Sequence, residues 1–385
     1  MLIFPKAKGH HTNMFVKKSY KFRLNVTKKQ AAALQRILDE CRFLYNLCLE
    51  QRILAYEELG MSLTKYDQFS MLPLLKNERP SLRTVHSQVL QEVVKRLDRS
   101  FDGFFRRCAA GEKPGFPRFR SAARFDSFTY PQSGFSVVGK ELKLSKIGVF
   151  SINQHRSVEG KIKTCTVRRD ASENWYVALS CEVETKPLPE NEKAVGIDMG
   201  LENWAYLSDG TVIENPRFFK KEERALAKAQ RKLAPLEKGT VQRNRQRKVV
   251  AKIHERIRNK RSDFCHKVSR AIVNKYQYIC VEELEIQEML EGSPLGHRMS
   301  RSIADASWDQ FCRFLSYKAE DAGRKVGFVK PAYTSQDCSK CGHREKKKLS
   351  ERAHRCSKCG YSVHRDLNAA ENILALGLDG LVVKP

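Results

Sequence analysis

At 385 residues, 41% of them hydrophobic, the chain is too long for one ordinary core and has enough apolar side chains to fill two or three. Its 71 Lys and Arg against 44 Asp and Glu leave a formal charge of +27, a self-repulsion that a polyanion relieves, so nucleic acid is the expected partner. A membrane role is excluded as an expectation, because no run of about 18 apolar residues and no separate amphipathic anchor stand in the sequence.

Residues 1–13 have neither an apolar signal core nor a small-residue cleavage site and read as a tail, so the protein is expected in the cytoplasm, on the nucleoid when DNA is bound. The segment FVKKSYKFRL alternates apolar and charged residues and predicts a strand, with Thr27 as N-cap of the helix that follows. Apolar residues recur at helical spacing from Gln30 to Tyr56 and again from Val85 to Phe105, which predicts a helical lobe. GEKPGFPRFR, Gly111 to Arg120, breaks that pattern with two prolines and two glycines. Short alternating runs such as KLSKIGVFSI and NWYVALSCEV then predict antiparallel strands up to about Glu184. The expected architecture of this half is a β-barrel, 14–26 and 121–190, with the helical lobe, 27–120, inserted in it.

The polar, proline-containing stretch KPLPENEK, Lys186 to Lys193, marks the main boundary. Beyond it AVGIDMG is a buried-type strand ending in Asp198, and NWAYLSDGTVI reads as a hairpin around Asp209 and Gly210. Arg217 to Lys275 is strongly basic and helical, and YICVEE is a second buried strand. A helix is predicted from Ile303 to Ala322, with Trp308, Phe311, Cys312, Leu315 and Ala319 on one face. A strand, KVGFV, follows it, and a final helix begins near Leu367.

Of the twelve cysteines, eight (Cys41, Cys48, Cys108, Cys165, Cys181, Cys265, Cys280 and Cys312) stand singly in apolar segments and read as buried reduced thiols. The other four form CSKCG twice, at Cys338 and Cys341 and at Cys356 and Cys359, with fourteen residues between the pairs. Four thiolates at this spacing predict a tetrahedral zinc site, closed and therefore structural, each glycine permitting the tight turn after its knuckle. A redox dithiol pair would be expected beside a thioredoxin-like βαβ pattern, which the sequence lacks. The basic loop His343 to Arg355 suggests a contact with a phosphate backbone.

Among 44 acidic residues, three are singled out by position. Asp198 and Glu282 each end an apolar strand, and Asp366 stands just before a helix reading LNAAENILAL. In a sheet of ribonuclease-H-like order the first two lie side by side and the third reaches across from a helix terminus. Such a cluster can bind two hard divalent cations about 4 Å apart, which activate a water and stabilise the leaving oxygen of a phosphodiester. The competing reading for each acid alone is a solvated strand end or a helix cap.

GIDMG, VEELEI, YTSQDCSKCG and HRDLNAAENI, in that order, resemble the split RuvC motifs and zinc ribbon of the transposon-encoded TnpB family, relatives of type V CRISPR effectors. YKFRLNVTKKQ, CRFLYNLCLEQR, RLDRSFDGFF and GEKPGFPRFRS resemble that family's N-terminal half, so the resemblance runs from about Met14 to Leu376. It implies a wedge domain of β-barrel type with an inserted helical recognition lobe. It also implies a RuvC-like nuclease domain, 191–332 and 363–385, carrying a zinc ribbon, 333–362. Asp198, Glu282 and Asp366 match the family's catalytic, magnesium-binding acids. His364 replaces the first Asp of the last motif, and Glu283 stands where Asp is common, so Glu282 is preferred to Glu283 by motif register.

The resemblance further implies a guide RNA from the transposon end, pairing with target double-stranded DNA beside a short duplex motif. The sequence leaves the oligomeric state open, and a monomer on one RNA is preferred. Residues Arg243, Arg245, Arg247 and Lys248, within the basic stretch Arg217 to Arg261, are candidates for heteroduplex backbone contacts, the alternative being a solvated helix face. Tyr45, Asn46, Gln88, Gln91, Thr129 and Tyr130 are candidates for reading the short motif, although Tyr45 also continues an apolar stripe. The expected function is RNA-guided, magnesium-dependent DNA cleavage. The alternative is a nuclease-silent guided repressor or transposition accessory protein of the same fold.

Overall fold

The computed structural model describes residues 15–185, 187–285, 289, 297–330, 332–347 and 351–382, so the tail 1–13 lies outside the described residues. They divide into two compact units, Phe15–Glu184 and a second that begins at Thr185. The fold is mixed α and β, and no helix among the described residues is long and apolar enough to cross a membrane.

The first unit begins with β1 (Phe15–Asn25), whose alternation turns Tyr20, Phe22 and Leu24 into the core. Thr27 closes a capping box: its hydroxyl accepts the Gln30 N–H at 3.3 Å while Gln30 Oε1 accepts the Thr27 N–H at 2.9 Å. From this cap α1 (Lys28–Leu59) runs 32 residues to Gly60, which takes the left-handed conformation at φ 63°. Helix α2 (Lys65–Glu78), absent from the sequence reading, follows, and then α3 (Ser87–Ala109).

Six strands come next: β2 (Ser127–Tyr130), β3 (Phe135–Val138), β4 (Glu141–Leu144), β5 (Gly148–Asn153), β6 (Lys161–Arg169) and β7 (Trp175–Glu184). They join β1 in an antiparallel sheet of order β2-β6-β7-β1-β5-β4-β3. Only residues 131–134 link its two edge strands, so the sheet curls until nearly closed. The helices enter the chain between β1 and β2 and share one core with the sheet.

In the second unit residues 187–193 are tied down at once, the Leu188 N–H donating to the Ala322 carbonyl at 3.0 Å. The strands are β8 (Ala194–Met199), β9 (Asn203–Leu207), β10 (Val212–Glu214), β11 (Tyr278–Glu282) and β12 (Lys325–Val329), in the order β10-β9-β8-β11-β12. β8, β11 and β12 run parallel, which explains why their sequences are continuously apolar, whereas β8, β9 and β10 form antiparallel hairpins. Between β10 and β11 lie α4 (Phe218–Leu233) and α5 (Val241–Lys275), the predicted basic helical stretch.

The single helix expected from Ile303 to Ala322 is instead two, α6 (His297–Ala306) and α7 (Trp308–Asp321), broken at Ser307 with φ 57°. The Ala306 carbonyl, which a continuous helix would keep for itself, accepts the Trp204 indole N–H at 2.9 Å, and the turn lets Trp308 enter the core. Val195, Ile197, Ile279 and Val281 pack on one side of the sheet with residues of α5 and α7. The opposite side receives α8 (Arg365–Val382), which begins two residues before the expected start.

The expectation for the scattered cysteines needs correction at two positions. Cys108 is exposed, because α3 buries nothing beyond Phe101, and Cys312 is half-buried. The others are buried, and burial pushes the thiols of Cys41, Cys48, Cys165 and Cys280 up to about 12, which keeps them protonated and inert.

Candidate functional site

Strand alternation decides which acids face the same way. Along β8, Val195 and Ile197 point into the α5 and α7 core, so Gly196 and Asp198 point to the α8 side. Along β11, Ile279 and Val281 share that core, so Cys280 and Glu282 point to the α8 side. The parallel register pairs Ile197 with Val281, which leaves Asp198 and Glu282 as the next residue on neighbouring strands. Helix α8 approaches closely because glycine permits it. A β-carbon at Gly196 would collide with the Ala370 carbonyl oxygen and lie 2.6 Å from the Leu374 nitrogen, and one at Gly377 would collide with Cys280. Asp366 stands in the first turn of α8.

The three acids converge on one cavity of about 530 Å³, lined also by Glu202, Arg352, Arg365, Met299 and Trp308. Glu283 is exposed and is not among the lining residues; its N–H donates to the Val329 carbonyl at 2.8 Å. Burial first, then the charges of Glu282 and Asp366, push the Asp198 carboxyl up to about 8, with Arg365 opposing. Burial alone pushes Glu282 up to about 7. Two half-buried carboxyls that ionise reluctantly are a poor arrangement for a stable core, and oxygen donors of this kind suit a hard divalent cation. The buried indole N–H of Trp308, in the cavity wall, has no hydrogen-bond partner among the described residues.

Asp366 is oriented by its neighbours in sequence. Arg365 Nε lies 3.3 Å from its Oδ1, and the Asp366 N–H donates to His364 Nδ1 at 3.3 Å. His364, where the family motif has Asp, therefore still supplies an acceptor at the start of α8. Its ring stacks on Tyr206 at 4.6 Å between centroids, and the Tyr206 hydroxyl accepts from Asn203 Nδ2 at 2.9 Å. Nothing in the sequence marked Tyr206 or Asn203.

Residues 332–364 carry the cysteines, with β13 (Ala353–Arg355) paired to β14 (Ser362–His364). The four sulfurs all lie within 4.8 Å of one another, the one such cluster of ligand atoms among the described residues. Cys338 and Cys359 Sγ are 3.6 Å apart and Cys341 and Cys356 Sγ 3.5 Å, close to the ~3.8 Å edge of a tetrahedron with zinc–sulfur bonds of about 2.3 Å. Both knuckles close identically: the Gly342 N–H donates to Cys338 and the Gly360 N–H to Cys356, each glycine at φ near 70°. The cluster fits a four-thiolate metal site.

The nucleic-acid candidates fare unequally. Tyr45 and Tyr130 are core residues at 1% exposure, Tyr45 against Phe125 and Tyr130 with its hydroxyl donating to the Ser145 carbonyl. Asn46 is spent on the backbone of Arg120, accepting its N–H at 2.8 Å and donating to its carbonyl at 3.0 Å. Gln88 accepts from the Ser133 N–H and hydroxyl, Thr129 bonds Thr166 across the sheet, and Gln91 is half-buried. Arg243 donates to the carbonyls of Leu233 and Leu236 and closes the end of α4. Arg245 and Arg247 are exposed on α5, and Lys248 is half-buried.

Three family profiles match the chain: OrfB_IS605, described as a probable transposase, over residues 178–292, the Cas12f1-like TNB domain over 308–373, and a helix-turn-helix domain over 14–61. Over 375 residues the chain is 34% identical to the putative RNA-guided DNA endonuclease InsQ of Escherichia coli K12, spanning 93% of this chain and 92% of that protein. TnpB-like protein L79 of Acanthamoeba polyphaga mimivirus is 29% identical over 231 residues, 56% of this chain and 44% of that one. The chain belongs to the TnpB family. A putative RNA-guided DNA endonuclease of Streptomyces pristinaespiralis, 33% identical over 94% of this chain and 90% of its own length, is a further member-like relative. The fold is shared with a Cas12f1 solved by cryo-EM in complex with sgRNA and target DNA, with a TM-score of 0.59 at 12% identity over 93% of this chain and 98% of that one. In this TnpB-family chain the segment matched as helix-turn-helix is a strand followed by one continuous helix, β1 and α1.

Proposed function

We propose that the chain is an RNA-guided DNA endonuclease that cuts target DNA beside a short transposon-associated motif by two-metal-ion hydrolysis. The observation that carries this reading is the convergence of Asp198, Glu282 and Asp366, from three distant segments, on one cavity. The names of the relatives, RNA-guided DNA endonucleases at 34% and 33% identity over most of the chain, support the guided part.

In this reading the unit from Thr185 is the RuvC-like nuclease domain with its zinc ribbon, and Phe15–Glu184 is the wedge with its recognition lobe. Asp198, Glu282 and Asp366 hold magnesium, with Glu282 as ligand in preference to Glu283, which is exposed and does not line the cavity. The chemistry a divalent cation held by these three residues would supply is activation of a water and stabilisation of the leaving oxygen. Arg365 fixes the Asp366 carboxylate and, with Arg352, brings positive charge to the cavity for a phosphodiester backbone. Cys338, Cys341, Cys356 and Cys359 hold a structural zinc, and the charge of +27 is balanced by one guide RNA from the transposon end and the DNA paired with it.

Protein purified with its RNA, given matching DNA and magnesium beside an Asp198→Ala control, tests the proposal. Cutting that requires magnesium and Asp198 is expected. DNA held but left intact by the unaltered protein would instead establish the nuclease-silent alternative, and protein free of RNA would remove the guided part.

A further inference from the structure

The residues of α8 that follow Asp366 divide into two stripes. Asp366, Ala369, Ala370, Ile373 and Gly377 recur at helical spacing on the sheet side, where Gly196 and Cys280 receive them. Asn368, Glu371 and Asn372 form the other stripe, about 200° round the helix from Asp366 at its first member, and all three are committed to the cysteine knuckles. Asn368 is fully buried. It accepts the Ser339 N–H at 3.0 Å, between the first two cysteines, and donates to the Asp337 carbonyl at 2.8 Å. Asn372 donates to the same carbonyl at 2.7 Å and to that of Thr334 at 2.8 Å. Glu371 accepts the Ser339 hydroxyl at 2.5 Å and, from beyond the second knuckle, the Tyr361 hydroxyl at 3.0 Å.

Within the ribbon an isolated bridge joins Asp337 to Arg344, whose side chains also pair at 2.6 Å, and the Cys338 N–H donates to the His343 carbonyl at 2.9 Å. The ribbon's sheet is two strands of three residues, too small to be stable alone, so the knuckles keep their form through these contacts, their own turns and whatever ties the four sulfurs. If the knuckles loosen, a buried amide and a carboxylate on α8 lose their partners, and the helix carrying Asp366 is pressed against the sheet from one side only.

We propose that Asn368, assisted by Glu371 and Asn372, is a positioning residue through which the four-cysteine site sets the divalent-cation affinity of the carboxylate site. The inference rests on the reading that Asp198, Glu282 and Asp366 bind that cation. The coupling is reciprocal, so a filled carboxylate site also makes the ribbon hold its metal more tightly.

The test is calorimetric titration of full-length protein with Mn²⁺, with zinc content measured on each sample. Asn368→Ala keeps all four cysteines and is expected to retain its zinc while binding Mn²⁺ about tenfold more weakly; Asn368→Asp, which keeps the acceptor for Ser339, falls between it and the unaltered protein. Glu371→Gln, which leaves the buried amide in place, serves if Asn368→Ala does not fold, with a severalfold loss expected. Unchanged Mn²⁺ affinity in the folded, zinc-loaded variants overturns the proposal even if they melt earlier, since a purely structural role would show only in the melting. Asp366→Ala separates the two layers: if it binds Mn²⁺ as well as the unaltered protein does, the carboxylate reading falls and the inference with it.

Discussion

Replacing Asp198 with Asn should stabilise the protein in the absence of divalent cations, by a margin that grows as the pH rises from about 4 to about 8. Burial and the neighbouring acids raise Asp198 from 3.8 to about 8, so between those values the folded chain holds a proton that the unfolded chain has released. The sign follows from that difference. Stability from the protonated carboxyl is fully present below about pH 4, declines as the pH rises, and is gone above about 8. At about 1.4 kcal/mol for each tenfold change in proton affinity, the full span corresponds to on the order of 6 kcal/mol. Relaxation and water entry reduce what is observed to about 2–3 kcal/mol. Asparagine has the shape of the protonated acid and no charge to bury. Denaturation in resin-treated, magnesium-free buffer is the assay, in a Trp175→Phe background where the remaining Trp204 and Trp308 both report the second core. Asp198→Asn should exceed the unaltered protein by that margin at pH 8.5, converge with it near pH 4, and lose its advantage when Mn²⁺ is saturating. A difference independent of pH, or a variant less stable at pH 8.5, would refute the assignment of burial as the cause.

Four further outcomes are expected. Gly196→Ala forces α8 off β8 and should cost about 1–3 kcal/mol in denaturant titration while reducing cleavage at least about tenfold; retention of both would refute the close-approach argument. Cys356→Ser should bring the zinc content, measured by plasma mass spectrometry, from about one per chain to near zero. On α5, Arg245→Ala and Arg247→Ala should each lower the salt slope of nucleic-acid binding by about one without changing the melting temperature. Arg243→Ala should instead destabilise by about 1 kcal/mol, because the carbonyls of Leu233 and Leu236 lose their donor.

Local chemistry made part of this molecule legible in advance. Thr27 announces the N-cap of α1, the repeated CSKCG announces two identical knuckles, and the apolar runs ending in Asp198 and Glu282 announce buried strands. What stayed hidden depends on partners far away in sequence. The break at Ser307 has no local signature, since it follows from Trp204 claiming the Ala306 carbonyl 102 positions along the chain. Helix α2 contains Pro73 and has no clear apolar stripe, so periodicity passed over it. Asn46 and Arg243 carry side chains suited to nucleic acid and spend them on backbone groups of their own chain. Residue type alone does not distinguish those uses.

The two-sided grip on α8 has a consequence for which substitutions the protein can accept. Most helices at a protein surface tolerate change on one side and resist it on the other, so a map of mutational sensitivity along them rises and falls every three to four residues. From Arg365 to Leu374 none of the residues is exposed, with the sheet on one side and the cysteine knuckles on the other. Sensitivity along this stretch should therefore form an unbroken plateau, unlike α5, where His254 and Arg256 are exposed between the buried Ile253 and Ile257.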